Sequence, residues 1–74
     1  MAKYTAQQQA YLKQIGKNIR AFRKKKRISQ EELAFKANLD RSYIGSVERG
    51  ERNVAVLNIK KIAAALRIKP KDIV

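Results

Sequence analysis

Apolar residues in this chain recur three and four positions apart over most of its length, with few interruptions. The only proline is Pro70, and the glycines are Gly16, Gly45 and Gly50. Spacing of three and four stacks side chains on one helical face, whereas a half-buried strand needs a period of two. The pattern therefore confines the chain to an all-α architecture. At 74 residues it is expected to form one small domain over 1–74, near the size at which a single core only just suffices.

Five helices follow from the spacing and the punctuation. Thr5 and Gln8 can form a capping box, and Tyr11, Ile15, Ile19 and Phe22 then fall on one stripe, so helix 1 should cover about 6–25. Ser29 with Glu32 is a second capping box, opening a short helix 2 whose apolar face is Leu33, Ala34 and Ala37. Asn38 can take the left-handed conformation that ends it, which lets Leu39 turn inward. Asp40 offers the next N-cap, so helix 3 starts at Arg41, buries Ile44 and Val47, and stops at Gly50. Helix 4 runs from near Ala55 or Val56 to Leu66, with Val56, Ile59, Ile62, Ala63 and Leu66 as its buried set. Residues 69–74 form either a terminal helical turn, the fifth element, or a frayed end.

The absence of cysteine excludes disulfides and thiolate metal sites, and the absence of histidine removes the commonest general base and metal ligand. The six carboxylates each have a capping, dipole or ion-pair use and form no obvious catalytic pair, so an enzyme is not expected, nor a cofactor, a metal or a small-molecule ligand. Eighteen Lys and Arg against six Asp and Glu leave a net charge of +12, on a chain too apolar to be a disordered tail. Such a chain should fold and then meet something anionic, with nucleic acid ahead of membrane or acidic protein. The charge is also segregated. Eight basic residues and no acidic one lie between Lys13 and Arg27, whereas Ser29 to Asn53 carries four basic and five acidic residues. No window approaches a membrane span and no signal peptide is evident, so the expected location is cytoplasmic.

From Ser29 to Asn53 the chain reads SQEELAFKANLDRSYIGSVERGERN, preceded by IGKNIRAFRKKKRI and followed by VAVLNIKKIAAALRI. This text resembles the Cro/C1-type (XRE-like) helix-turn-helix family over roughly residues 13–68. Within that family it is most similar to the controller proteins of restriction-modification systems. The resemblance implies a compact, five-helix lambda-repressor-like domain that binds double-stranded operator DNA as a homodimer and regulates transcription. It also implies that Arg23 pairs with Glu48 to hold the recognition helix, and that Arg23 sometimes reaches a phosphate.

A helix fits the major groove, and an arginine at its tip can pair with guanine O6 and N7, so Arg41 and Ser42 are the expected base readers, with Ser46 one turn beyond. Gln30, at the start of helix 2, and Tyr43, Arg49, Arg52 and Asn53 are candidate phosphate contacts. Gly45 in mid-helix suggests close packing or close DNA approach. A pseudo-palindromic operator calls for a two-fold dimer, placed on Leu57, Leu66, Ile68, Ile73 and Val74, although Ile68 and Ile73 could equally close the core. Other functions compatible with the same residues are a phage or plasmid Cro-like repressor and an antitoxin whose main partner is a toxin protein.

Overall fold

A computed structural model describes residues 3–74; Met1 and Ala2, which the 1–74 domain includes, lie outside the described residues. The elements are α1 (Ala6–Lys25), α2 (Gln30–Ala37), α3 (Arg41–Glu48) and α4 (Val56–Leu66), followed by a single 3-10 turn at Pro70–Asp72. The architecture is all-α, as expected, but with four α-helices rather than five. The expected fifth element is only that turn. Asp72 accepts a hydrogen bond from the Lys69 amide at 2.9 Å, and the amides of Ile73 and Val74 both donate back to the Pro70 carbonyl. One tight turn is enough to swing Ile73 fully into the core.

The starts of α1 and α2 follow the sequence pattern. Thr5 and Gln8 exchange both bonds of a capping box, at 3.0 and 3.1 Å. Ser29 accepts from the Glu32 amide at 3.0 Å, but the Glu32 carboxylate faces Lys36 at 3.7 Å instead of returning to Ser29, so that box is half formed. All four helices end in a left-handed residue, namely Arg27, Asn38, Gly50 and Arg67, with φ between 57° and 73°. In three cases the following apolar residue donates its amide back to the end of the helix: Ile28 to Arg23, Leu39 to Ala34 and Ile68 to Ala63. Each of those apolar side chains then packs on the core. Asparagine tolerates the left-handed region; the two arginines adopt it at a cost of about 1 kcal/mol each, offset by the closing bonds and the buried neighbour.

Ile19, Leu33, Ile44, Val47, Ile62, Leu66 and Ile73 are the large side chains wholly withdrawn from water. Three expectations change here. The buried stripe of α1 is Leu12, Ile15, Gly16, Ile19 and Arg23, so Leu12 replaces Tyr11, which is 59% exposed. Val56, the first residue of α4, is 71% exposed, because the first turn of α4 overhangs the core and only Ile62, Ala63 and Leu66 are buried. Leu66 and Ile73, assigned to a dimer face, are 1% and 0% exposed within this chain, so they fill the core and offer nothing to a partner. A chain this small needs their full apolar area inside.

Gly16 fixes how closely α1 meets α3. A Cβ there would lie 2.5 Å from the carbonyl oxygens of Val47 and Glu48, so only a residue without a side chain permits this approach. Gly50 has φ of 73° and sits against the backbone of Lys13, where a Cβ would come within 2.9 Å of the Lys13 nitrogen.

Candidate nucleic-acid interface

The turn Asn38, Leu39, Asp40 sets α3 against α2 and leaves one long face of α3 open to solvent. Ile44 and Val47 point into the core. At 3.6 residues per turn, Ser42, Ser46 and Arg49 must then lie along the opposite side, with Arg41 at the tip beside them. Arg41 and Ser42 are exposed, and among the described residues neither forms a side-chain hydrogen bond or an ion pair. Asp40 stands ahead of α3 in extended conformation but its carboxylate makes no capping bond. The guanidinium of Arg41 is thus free at the end of a rigid helix.

The C-terminal end of α3 is held differently. Arg23 donates from Nε to Glu48 Oε2 at 2.7 Å and from Nη2 to Glu48 Oε1 at 3.0 Å. Its remaining nitrogen, Nη1, donates to the Ile28 carbonyl at 2.9 Å, tying α1, the α1–α2 turn and α3 together. Both residues are nearly buried, at 9% and 8% exposure. The hydrogen bond to Glu48 raises the Arg23 pKa further above its usual range; burial works against this and the Glu48 charge adds to it. Gln30 completes the cluster by donating from Nε2 to Glu48 Oε1 at 3.0 Å. That bond aims the first residue of α2 across α3 and leaves the second Nε2 proton of its amide without a partner, a donor that a phosphate oxygen can accept.

On the other flank, Tyr43 is packed against the core, its hydroxyl accepts from Asn58 Nδ2 at 3.0 Å, and the Arg52 guanidinium lies 5.1 Å from its ring centre. The stacking gives Arg52 a defined position in an otherwise exposed loop. Arg49 pairs with Glu51 at 3.0 Å, a solvent-exposed bridge that holds it only weakly. Asn53 is exposed at the end of the same loop. Ser46 donates its hydroxyl proton to the Tyr43 carbonyl at 2.8 Å, which leaves oxygen lone pairs but no proton for a ligand. A Cβ on Gly45 would meet only side-chain tips, Arg49 Nη1 at 3.1 Å and Gln30 Oε1 at 3.6 Å, so its packing demand is far softer than that of Gly16.

The structure therefore brings Arg41, Ser42, Ser46, Arg49 and Gln30 to one surface, with Tyr43 and Arg52 along its edge, whereas Asn53 lies beside Gln8, Tyr11 and Leu12 of α1. Arg23 lies beneath that surface as a clamp. Two supports escaped sequence reasoning. Asn58 positions Tyr43 from α4, and Gln9 donates to the Gly50 carbonyl from the first half of α1. Both are single polar residues on partly buried faces, a weak signal that only a polar break in an apolar stripe could have given. Of the residues expected at a dimer face, Leu57 is 71% and Val74 53% exposed, while Ile68 is half-buried on the core. Among the described residues no group of His, Cys, Asp or Glu is placed to hold a metal ion, and no helix is long and apolar enough to cross a membrane.

The helix-turn-helix family pattern matches residues 19–73. Control protein C.BamHI from Bacillus amyloliquefaciens is 48% identical over 60 residues, covering 80% of this chain and 74% of that protein. The crystal structure of the restriction-modification controller protein C.AhdI from Aeromonas hydrophila superposes with a TM-score of 0.86 at 51% identity, covering 88% of this chain and 98% of that one. The hypothetical transcription factor NHTF from Neisseria gives a TM-score of 0.83 at 40% identity, covering 99% of this chain and 83% of that one. By family pattern, sequence identity and fold alike, this chain is a member of the Cro/C1-type helix-turn-helix family, closely related to the controller proteins of restriction-modification systems.

Proposed function

We propose that this protein is a sequence-specific regulator of transcription that binds double-stranded operator DNA as a homodimer, in the role of a restriction-modification controller. It acts by occupying its site in the cytoplasm, with no turnover step. The observation that carries this reading is the unpaired Arg41 at the tip of a helix whose other end is locked by the buried Arg23–Glu48 pair. A fork of donors held rigidly and left unsatisfied suits the edge of a guanine in the major groove, and Ser42 beside it can bond a neighbouring base.

In this reading residues 1–74 act as one DNA-binding unit. Gln30, Arg49, Arg52 and Asn53 take phosphates on either side of the groove, with Tyr43 beside the sugar-phosphate edge and Ser46 limited to accepting a hydrogen bond from a base. Arg23 serves chiefly by fixing α3 and Gln30. The dimer forms through exposed apolar residues of α4 and the C-terminal segment, Leu57 and Val74 foremost, beside a shallow groove bordered by Tyr11, Val56 and Ile59. Two such units on a two-fold axis would read a pseudo-palindrome with half-sites about one helical turn apart.

Selection of bound duplexes from a randomised pool at near-physiological salt tests this directly. Enrichment of a two-fold-related motif is the expected outcome; binding that vanishes with salt and enriches no sequence would replace the regulator with a non-specific polycation. At the selected operator, Arg41→Ala should relax base preference at a defined position, whereas Arg52→Ala should weaken all sequences evenly.

A further inference from the structure

Residues 1–30 contain no Asp or Glu, and α1 carries Lys13, Lys17, Arg20 and Lys24 at intervals of four, three and four. All four are exposed. At about 100° per residue they fall in one strip, roughly a third of a turn round the helix from the buried line of Leu12, Ile15, Ile19 and Arg23. The strip is about 16 Å long at 1.5 Å per residue. Its position relative to α3 is fixed by contacts at its start: Gly50 rests on Lys13, Gln9 bonds the Gly50 carbonyl, and Gly16 lies under Val47 and Glu48. The strip therefore leaves the interface where α3 ends, next to the loop that holds Arg49 and Arg52.

None of the four cations has an acidic partner; the ion pairs among the described residues use Arg23, Lys36 and Arg49. Like charges three and four apart on a helix repel, and a merely solubilising face would interleave signs. A partner that relieves this repulsion must be an extended, regular anion. The backbone of a duplex presents such a row, each strand carrying one phosphate for about every 3.4 Å of axis. A membrane surface is a poor match, because the apolar face of α1 that would enter it is consumed by the core.

We infer that Lys13, Lys17, Arg20 and Lys24 form a second, sequence-independent contact that holds backbone phosphates of the operator duplex outside the half-site read by α3. This rests on the DNA-binding function proposed above and extends the footprint beyond what α3 and its loop can cover.

The test uses the full chain and a triple variant, Lys17→Gln, Arg20→Gln and Lys24→Gln, which keeps good helix formers. Lys61→Gln, Lys69→Gln and Lys71→Gln in one chain serve as a control with the same reduction in charge elsewhere on the exposed surface. Circular dichroism should show the same helix content in all three proteins, with the strip variant melting no lower than the others. Binding is measured to duplexes bearing the selected operator, either trimmed flush or flanked by one further helical turn, between 50 and 200 mM salt. The unaltered protein should prefer the flanked duplex, and the strip variant should lose that preference while keeping the same base preferences. With three phosphates per protomer, six per dimer, no longer neutralised, the salt slope should fall by about 5.4, so that over this fourfold rise in salt the unaltered dimer loses roughly two-thousandfold more affinity than the variant. Equal slopes for strip and control variants, an undiminished flank preference, or a change in base preference would each overturn the inference. So would a strip-dependent gain on anionic phosphatidylglycerol vesicles without one on DNA. If no operator is selected at all, the regulator reading fails separately, and the strip is then judged on random duplexes by the same difference between strip and control slopes.

Discussion

At the C-terminal end of α3, Glu48 is 8% exposed and accepts three hydrogen bonds, two from Arg23 and one from Gln30. At its N-terminal end, seven residues away, Arg41 and Ser42 are exposed and bond to no described side chain. One eight-residue helix thus holds its polar groups under opposite conditions. The buried end cannot move without stranding a charge, and the exposed end has donors waiting for an acceptor. A helix of this length has little intrinsic stability, so its direction must come from packing and from the clamp. Recognition is then possible because the tip inherits that rigidity without using up its own hydrogen bonds.

The strongest way to break the contrast is Arg23→Met. It leaves Glu48 buried with Gln30 as its only partner and should cost about 3–5 kcal/mol in denaturant unfolding, whereas Arg23→Met combined with Glu48→Leu should recover most of the loss. A single-variant loss below about 1 kcal/mol would mean that the clamp does not hold the helix. Gly16→Ala comes next. Alanine in a helix interior usually gains up to about 1 kcal/mol over glycine, but here its methyl would meet two backbone carbonyls, so a loss of about 1–3 kcal/mol is expected from thermal melts. Gly45→Ala, three residues from the clamp, should change stability by no more than about 0.5 kcal/mol, since only the tips of Arg49 and Gln30 have to shift. A loss as large as that of Gly16→Ala would show those tips to be as fixed as backbone. Smallest on stability is Arg41→Ala, also within about 0.5 kcal/mol. Yet it should weaken binding to the preferred operator roughly ten- to hundredfold in a titration, because the bidentate pairing with one base disappears.

Much of this was legible along the chain. The start of α2 at Gln30, the left-handed Asn38 and the start of α3 at Arg41 come from local chemistry, since a cap or a left-handed turn acts over three or four residues. The exposed base-reading candidates were legible for the same reason: a helix start tells which residues occupy its first turn. The ends of α1 at Lys25 and α4 at Leu66 were legible too, but the way each is closed was not. Arg27 and Arg67 are left-handed without being Gly or Asn, and their conformation is decided by Ile28 and Ile68 reaching the core. Leu66 and Ile73, each assigned both to the core and to a dimer face, fill the core. Helical spacing marks an apolar face but cannot say whether that face meets the chain's own core or another molecule.

The sequence by itself determined the helical class, the helix starts, the basic strip of α1 and the residues at the tip of α3, all of which depend on neighbours within one or two turns. Only the tertiary structure decided that Gly16 rather than Gly45 is the close-contact glycine, that Leu12 rather than Tyr11 faces inward, and that Gln30 joins Arg23 on Glu48. Each of those outcomes is a contact between helices distant in sequence. Its energy depends on separations of a few tenths of an ångström, which periodicity cannot encode.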